Sequence, residues 1–467
     1  MNRWHITTGL TGLALGAAWL APRLFAHIQA PIPAPVPPAV EEPTPVPSAV
    51  YDGHLEVTTR IDQSVILDGD RSDRFVTVEV VGHGPEEGRP VRRPLDVAVV
   101  LDASGSMKKE AKLQQAVEAT VELARSLTAA DTLSVVAFSG RARVLLSAEA
   151  GRNPDVVANV LQDLHPHGGT NLYGGLDLGG RALAGRPGAT QHVLLLSDGE
   201  ASEGEMRPER FAALASSMAS DRVSLSTVGL GSTYNEDLLA SLADLGGGRY
   251  ADVAGGAQIA QVFDETFARS STLLAQGTRV DLVLPEGLEP VDLLGWSGQR
   301  IQGGWSVYLG DVSDGERRKI VVRARPTAAL SAPAGIRARL TYHDVTDRRG
   351  ADEQHQTVVR ATSDPAEAQR SFDPAVAALG NRTYGNWYLE MATRSYAEGN
   401  RTQSLELLKE GRRVLEDAAR ELPMPDLRDD LDRFDHSRGF YESQAPSAPA
   451  AKRQVKQAKE RFRALAR

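Results

Sequence analysis

Leu95-Asp96-Val97-Ala98-Val99-Val100-Leu101-Asp102-Ala103-Ser104-Gly105-Ser106 is the stretch whose reading decides the fold. The run from Leu95 to Leu101 is apolar except for Asp96, the pattern of a buried parallel strand. A helix-like stretch, Met107 to Leu127, follows at once. One carboxylate and two hydroxyls therefore leave a strand's C-terminal end in one tight loop. In open α/β sheets that end is where ligands bind. The loop offers only oxygen donors, and hard divalent cations prefer oxygen.

Asp, Ser and Gly also build ordinary turns, so two further loops carry the reading. Gly168-Gly169-Thr170-Asn171 precedes another helical stretch and puts a hydroxyl at a helix start. Val193 to Ser197 is a second apolar strand, ending in Asp198-Gly199. Together the Asp-x-Ser-x-Ser loop, the Thr170 loop and the Asp198 loop resemble the metal-ion-dependent adhesion site (MIDAS) of a von Willebrand factor A (vWA) domain. The resemblance spans about Pro94 to Ser271. It implies that Ser104 and Ser106 ligate a metal directly and that Asp102 acts largely through water. It implies also that Thr170 and Asp198 exchange direct and water-mediated roles. With few anionic ligands a bound Mg²⁺, or Mn²⁺ or Ca²⁺ in its place, keeps much of its positive charge and an exchangeable water. In the family an Asp or Glu carboxylate of a partner protein commonly takes that position. His165 and His167 lie just before Gly168 and are candidates for the rim of the site, although loop histidines are more often solvated.

Around this domain the pattern changes. Residues 51–93 contain alternating runs, such as Phe75-Val76-Thr77-Val78-Glu79-Val80, too short to make a stable sheet alone. Residues 272–364 carry matching short runs, Thr278 to Leu284, Trp305 to Leu309, Lys319 to Arg325, Ile336 to Tyr342 and Gln356 to Thr362, punctuated by Gly, Pro and Asp as in a β-sandwich. The economical fold class is α/β: a doubly wound, Rossmann-like vWA domain at 94–271, inserted in a β-sandwich, then a C-terminal α-helical region. Within the inserted domain, a last helix near Ala257 to Arg269 places Ile259, Val262, Phe263 and Phe267 on one stripe. Residues 365–442 read as a helical hairpin region: Pro374 to Ala397 and Thr402 to Glu421 pair about a hinge at Glu398-Gly399-Asn400-Arg401, faintly like one tetratricopeptide repeat although one unit is not a solenoid, and an acidic stretch, Asp426 to Asp435, follows. Residues 443–467 are a small linker and a basic helix, either solvated or suited to an anionic surface or partner helix.

The ends of the chain speak to location. Met1-Asn2-Arg3 is short and basic, and Ile6 to Ala21 is free of charge and largely apolar. Residues 1–30 thus read as a signal peptide or an uncleaved membrane anchor. Residues 31–50 form a Pro-rich spacer. This places the domains in the cell envelope, outside the inner membrane, anchored or secreted.

The 467 residues hold no cysteine, which excludes disulfides, zinc–thiolate sites and Fe–S ligation. A net charge of −9 gives no global field toward nucleic acid. No Gly-x-Ser-x-Gly elbow, Walker A loop or His-Glu-x-x-His occurs. The expected function is a non-enzymatic, protein-binding module for adhesion or envelope complex assembly, capturing an acidic side chain through Mg²⁺. The alternatives are a Mg²⁺-dependent hydrolase, which lacks an obvious general base in these loops, and a vWA partner of a MoxR-type ATPase, which needs a cytosolic domain.

Overall fold

The computed structural model describes residues 54–84, 92–150, 153–198, 201–231, 234–253, 256–327, 330, 333–446 and 455. The expected N-terminal apolar segment and Pro-rich spacer, and nearly all of the basic C-terminal segment, lie outside the described residues. No helix among the described residues is long and apolar enough to cross a membrane.

Three strands precede the decisive loop: β1 (Leu55–Ile61), β2 (Val65–Leu67) and β3 (Arg74–Gly82). The central domain then runs β4 (Leu95–Asp102), a 3₁₀ segment (Gly105–Ala111), α1 (Lys112–Ser126), β5 (Thr132–Phe138), β6 (Ala142–Ala150), α2 (Pro154–Leu161) and α3 (Leu172–Arg181). It continues with β7 (Thr190–Ser197), α4 (Pro208–Ser220), β8 (Val223–Leu230), α5 (Glu236–Leu245), β9 (Gly247–Val253) and α6 (Gly256–Ser271). These strands form one sheet in the order β6-β5-β4-β7-β8-β9. Every pairing is parallel except β5 with the edge strand β6.

The unbroken apolar run of β4 has a simple cause: both of its faces are covered. Val97, Val99 and Leu101 pack against α1 and α6, through Ala116, Leu123, Ile259 and Phe263. Ala98 and Val100 pack on the other face against α3 and α4, through Leu172, Leu176 and Phe211. Burying each such Val or Leu contributes roughly 1.5–3 kcal/mol. From β4 the chain moves outward to β5 and β6, then returns to β7 on the other side. The crevice between the ends of β4 and β7 is therefore the switch point of the sheet. The helix expected from Met107 differs in its first turns. Met107 to Ala111 is 3₁₀, and Ala111 takes a left-handed backbone (φ 53°), so the regular helix starts only at Lys112.

After the domain come β10 (Leu273–Val283), β11 (Leu288–Leu294), β12 (Gly298–Ile301), β13 (Gly304–Ser313), β14 (Arg317–Pro326), β15 (Ala334–Asp344) and β16 (Arg349–Thr362). One sandwich sheet is β1-β3-β14-β11 and the other β12-β13-β10-β15-β16-β2. β3 hydrogen-bonds to β1 on one side and to β14, from beyond the inserted domain, on the other. Leu55, Val57, Val76 and Val78 share one core with Val280, Leu282, Ile336 and Leu340 of the facing sheet. This pairing across the insertion leaves the central domain tied at both ends to one sandwich.

The chain ends in helices α7 (Pro365–Arg370), α8 (Pro374–Ala397), α9 (Arg401–Ala418) and α10 (Leu427–Ser443). α8 packs its first half on the sandwich, where Val376, Leu379, Tyr384 and Trp387 cover Phe75, Leu294 and Val321. Its second half joins α9 and α10 in a separate core that includes Tyr396 stacked on Tyr441, with ring centroids 4.1 Å apart. The acidic stretch Asp426–Asp435 enters this bundle as part of α10. Asp430 is fully buried there, with Arg382 Nε donating to it at 2.7 Å. Val455 also packs on the bundle.

Candidate metal centre

Four of the residues singled out in the sequence, Asp102, Ser104, Ser106 and Asp198, are linked by hydrogen bonds at the switch point, and the loop that carries Thr170 is joined to theirs through the backbone. β4 delivers Asp102 and β7 delivers Asp198, because these strands are neighbours in parallel register, Leu101 opposite Leu196. The Asp102 carboxylate is fully buried and bonded at both oxygens: Ser104 N donates to Oδ1 at 2.8 Å, and Ser197 Oγ to Oδ2 at 2.7 Å. Burial pushes its carboxyl above the ordinary carboxylate range, and the Asp198 charge adds to the rise. Ser104 Oγ lies 3.0 Å from Ser106 Oγ, and Ser106 Oγ donates to Asp198 Oδ1 at 2.6 Å. Ser104, Asp198 and Thr170 are buried, whereas Ser106 is partly open to solvent.

The Thr170 loop is stitched to the Asp102 loop by the backbone. Gly105 N donates to Gly168 O at 3.1 Å, and His167 N to Ala103 O at 2.9 Å. Thr170 is held in turn by its own N donating to Ser202 Oγ at 2.9 Å. Asn171 caps α3 by accepting from Gly174 N at 2.9 Å, so the hydroxyl of Thr170 stands just before a helix start as expected. His165 and His167 are both exposed. His167 Nε2 lies 3.2 Å from Ser139 Oγ, and its Nδ1 lies 2.8 Å from the His165 carbonyl oxygen.

Lys112 belongs to the site although no motif marks it. Its ammonium is largely buried, with 9% of the side chain exposed, and donates to Asp198 Oδ2 at 2.9 Å. The room for it comes from Gly231, just past β8. A Cβ there would lie 2.7 Å from Lys112 Nζ, and the backbone is left-handed (φ 85°). A signal was present: Lys112 opens a helix and sits next to the buried Leu113, a place where an unpaired lysine is costly. Ser197 and Ser202 are likewise unmarked, because each acts only by orienting another site residue.

The donor set is three hydroxyls and two carboxylates, all oxygen, with two buried acids in one crevice. Such a set fits a hard divalent cation, which relieves the mutual repulsion of Asp102 and Asp198. It offers no thiol or imidazole pair to a softer metal.

A doubly wound sheet with this oxygen-lined switch point, set into a β-sandwich, defines the class: a protein built around a vWA domain. Residues 96–265 match the family model of the von Willebrand factor type A domain, and this part of the chain is one. The uncharacterized protein sll0103 of Synechocystis is 29% identical over 213 residues, which is 45% of this chain and 50% of that protein. YfbK of Escherichia coli is 28% identical over 159 residues, 33% of this chain and 28% of YfbK. The chain thus spans half or less of the length of these relatives. Among solved structures, a von Willebrand factor type A protein from Catenulispora acidiphila is similar over 82% of this chain and 89% of its own, with TM-score 0.61 and 19% identity. The ArnB paralog VWA2 from Sulfolobus acidocaldarius is similar over 89% of this chain and 100% of its own, with TM-score 0.57 and 17% identity. These two likenesses concern the fold.

Proposed function

We propose that this chain is an envelope-held, protein-binding module whose divalent-cation site captures an acidic side chain of a partner protein. Asp102, Ser104, Ser106, Thr170 and Asp198 hold the cation, with Mg²⁺ the first choice. The observation that carries the reading is the continuous chain from Ser104 Oγ through Ser106 Oγ to the Asp198 carboxylate, beside a doubly anchored Asp102. The hydroxyls of Ser104 and Ser106 face the cation directly. Asp102, fixed by Ser104 N and Ser197 Oγ, supplies charge from a rigid position. When bound, the cation supplies concentrated positive charge and an exchangeable coordination position for an incoming carboxylate. Lys108 and Lys109 are exposed on the 3₁₀ segment next to Ser106, and their field favours an acidic partner. The apolar N-terminal segment and Pro-rich spacer support an extracytoplasmic location.

The test is affinity capture from membranes in Mg²⁺, eluted with EDTA and identified by mass spectrometry. Partners retained by the wild type and lost by Asp102→Asn support the reading. A set of partners indifferent to both EDTA and Asp102→Asn contradicts it.

A further inference from the structure

The strands of the central sheet have a second end, away from the metal centre, and a cavity of about 440 Å³ opens there. Arg93 lines it from just before β4, Arg186 from the α3–β7 loop, Arg222 from just before β8, and Arg348 from the β15–β16 turn of the sandwich. Among the lining residues the one carboxylate is Asp221. Four guanidiniums against one lining acid leave a large excess of positive charge.

The neighbours register that excess. Burial holds the Arg93 guanidinium below its usual range, and repulsion from Arg348 adds to this, against attraction from Asp344. His343, another lining residue, is lowered by burial and then by Arg222. Arg186 spends its terminal nitrogens on the carbonyls of Ala130 and Leu95, at 2.8 and 3.0 Å, and its buried Nε has no partner. Among the described residues, Arg93, Arg222 and Arg348 make no salt bridge.

The backbone adds an independent observation. Non-glycine residues with positive φ are Ala111, Ala148, Arg222 (62°) and Arg348 (55°) among the described residues. Two of these four therefore line this one cavity. A left-handed backbone is unfavourable for a long side chain, and such strain collects at functional sites. The Arg348 guanidinium lies over Gly188, where a Cβ would stand 2.8 Å from its Nη2.

We propose that this cavity is a second binding site, for a ligand presenting a phosphate group. Arginine forks match tetrahedral oxyanions with paired N–H donors. A single carboxylate would leave most of the charge unanswered, whereas a phosphate dianion answers two guanidiniums at once. The Gln191 amide also lines the cavity and provides a neutral donor for a larger head group, while Gln276 Nε2 donates to the Arg222 carbonyl at 3.1 Å. Because residues of both the vWA domain and the sandwich contribute, occupancy holds the two together. This site is independent of the metal reading.

The test is calorimetric titration of the full chain with pyrophosphate and, separately, with dihexanoyl phosphatidic acid, a phosphomonoester, below its micelle concentration. The first probe stands for soluble phosphate ligands and the second for a lipid head group. Saturable binding of either, weakened at least tenfold in the double variant Arg222→Gly/Arg348→Gly and in Arg93→Gln, supports the site. Whichever probe binds more tightly identifies the source. Glycine suits both left-handed positions, so the double variant melts no lower than the wild type, and lost binding is not lost folding. Two results overturn the proposal: neither probe binds the wild type, or binding is unchanged in both variants.

Discussion

Replacing Lys112 with methionine tests the electrostatics of the metal centre. The ammonium lies 2.9 Å from Asp198 Oδ2, while Oδ1 of the same carboxylate accepts from Ser106 at 2.6 Å. A dication on the Oδ1 side would lie roughly 5–7 Å from the ammonium, the upper figure being a carboxylate's width plus one contact on each side. At an effective dielectric of about 20, repulsion between charges of two and one over that range would be about 5–7 kcal/mol. That figure is a ceiling, because the site relaxes and its rim is wet. The expected gain on removing the lysine is about 1.4–3 kcal/mol, a ten- to roughly hundredfold tighter Mg²⁺ affinity. Without metal the same change leaves Asp198 buried and unpaired, which costs about 3–5 kcal/mol. Lys112→Met therefore melts lower than the wild type in EDTA and recovers in Mg²⁺. Calorimetric titration at fixed ionic strength, with thermal melts in EDTA and in Mg²⁺, reads both effects. A folded Lys112→Met that binds Mg²⁺ no more tightly than the wild type refutes the reasoning. Lys112 would then be a structural cation for α1 only.

Three other outcomes are expected. Asp62 is 4% exposed and its carboxyl is raised to about 6, first by burial and against the attraction of Arg74. A raised folded value means stability present below pH ~4 and lost as pH rises through ~6, up to about 3 kcal/mol; Asp62→Asn should out-melt the wild type at pH 8, with the advantage gone at pH 4. Phe263→Ala, at a position 1% exposed between α6 and β4, should lose about 3–5 kcal/mol in denaturant unfolding, and a smaller loss than 1 kcal/mol would contradict the tight seat of α6. A fragment of residues 94–271 should give a cooperative melt, whereas residues 54–84 alone should not, because β3 lacks β14 on its second edge.

How much was legible in the sequence follows from how each element earns its stability. β4 is buried on both faces, so its apolar run was plain, and the oxygen donors stand in the loop directly after it. β1 and β3 showed their alternation, and the need for partners after the insertion followed from their shortness. β11 was missed because Pro290 and a register shift before Asp292 break the period of two in an outer strand. β12 was missed because it is an edge strand with little burial, so no apolar face marks it. In α10 the run of Asp residues masked a helix, since Asp430 is buried against Arg382, which lies 48 positions earlier. Lys112 escaped for a related reason: the partner of a buried charge is set by tertiary contact, and local pattern does not name it.

On the reading proposed above, the crevice between β4 and β7 holds a divalent cation through its five oxygen-bearing residues. The most direct test is Mg²⁺ titration of the wild type beside Asp102→Asn, which keeps the bonding shape next to Ser104 N and removes the charge. One saturable Mg²⁺ is expected in the wild type, with at least a hundredfold weaker binding in a variant that still melts cooperatively. Equal Mg²⁺ affinity in the two proteins would contradict that reading.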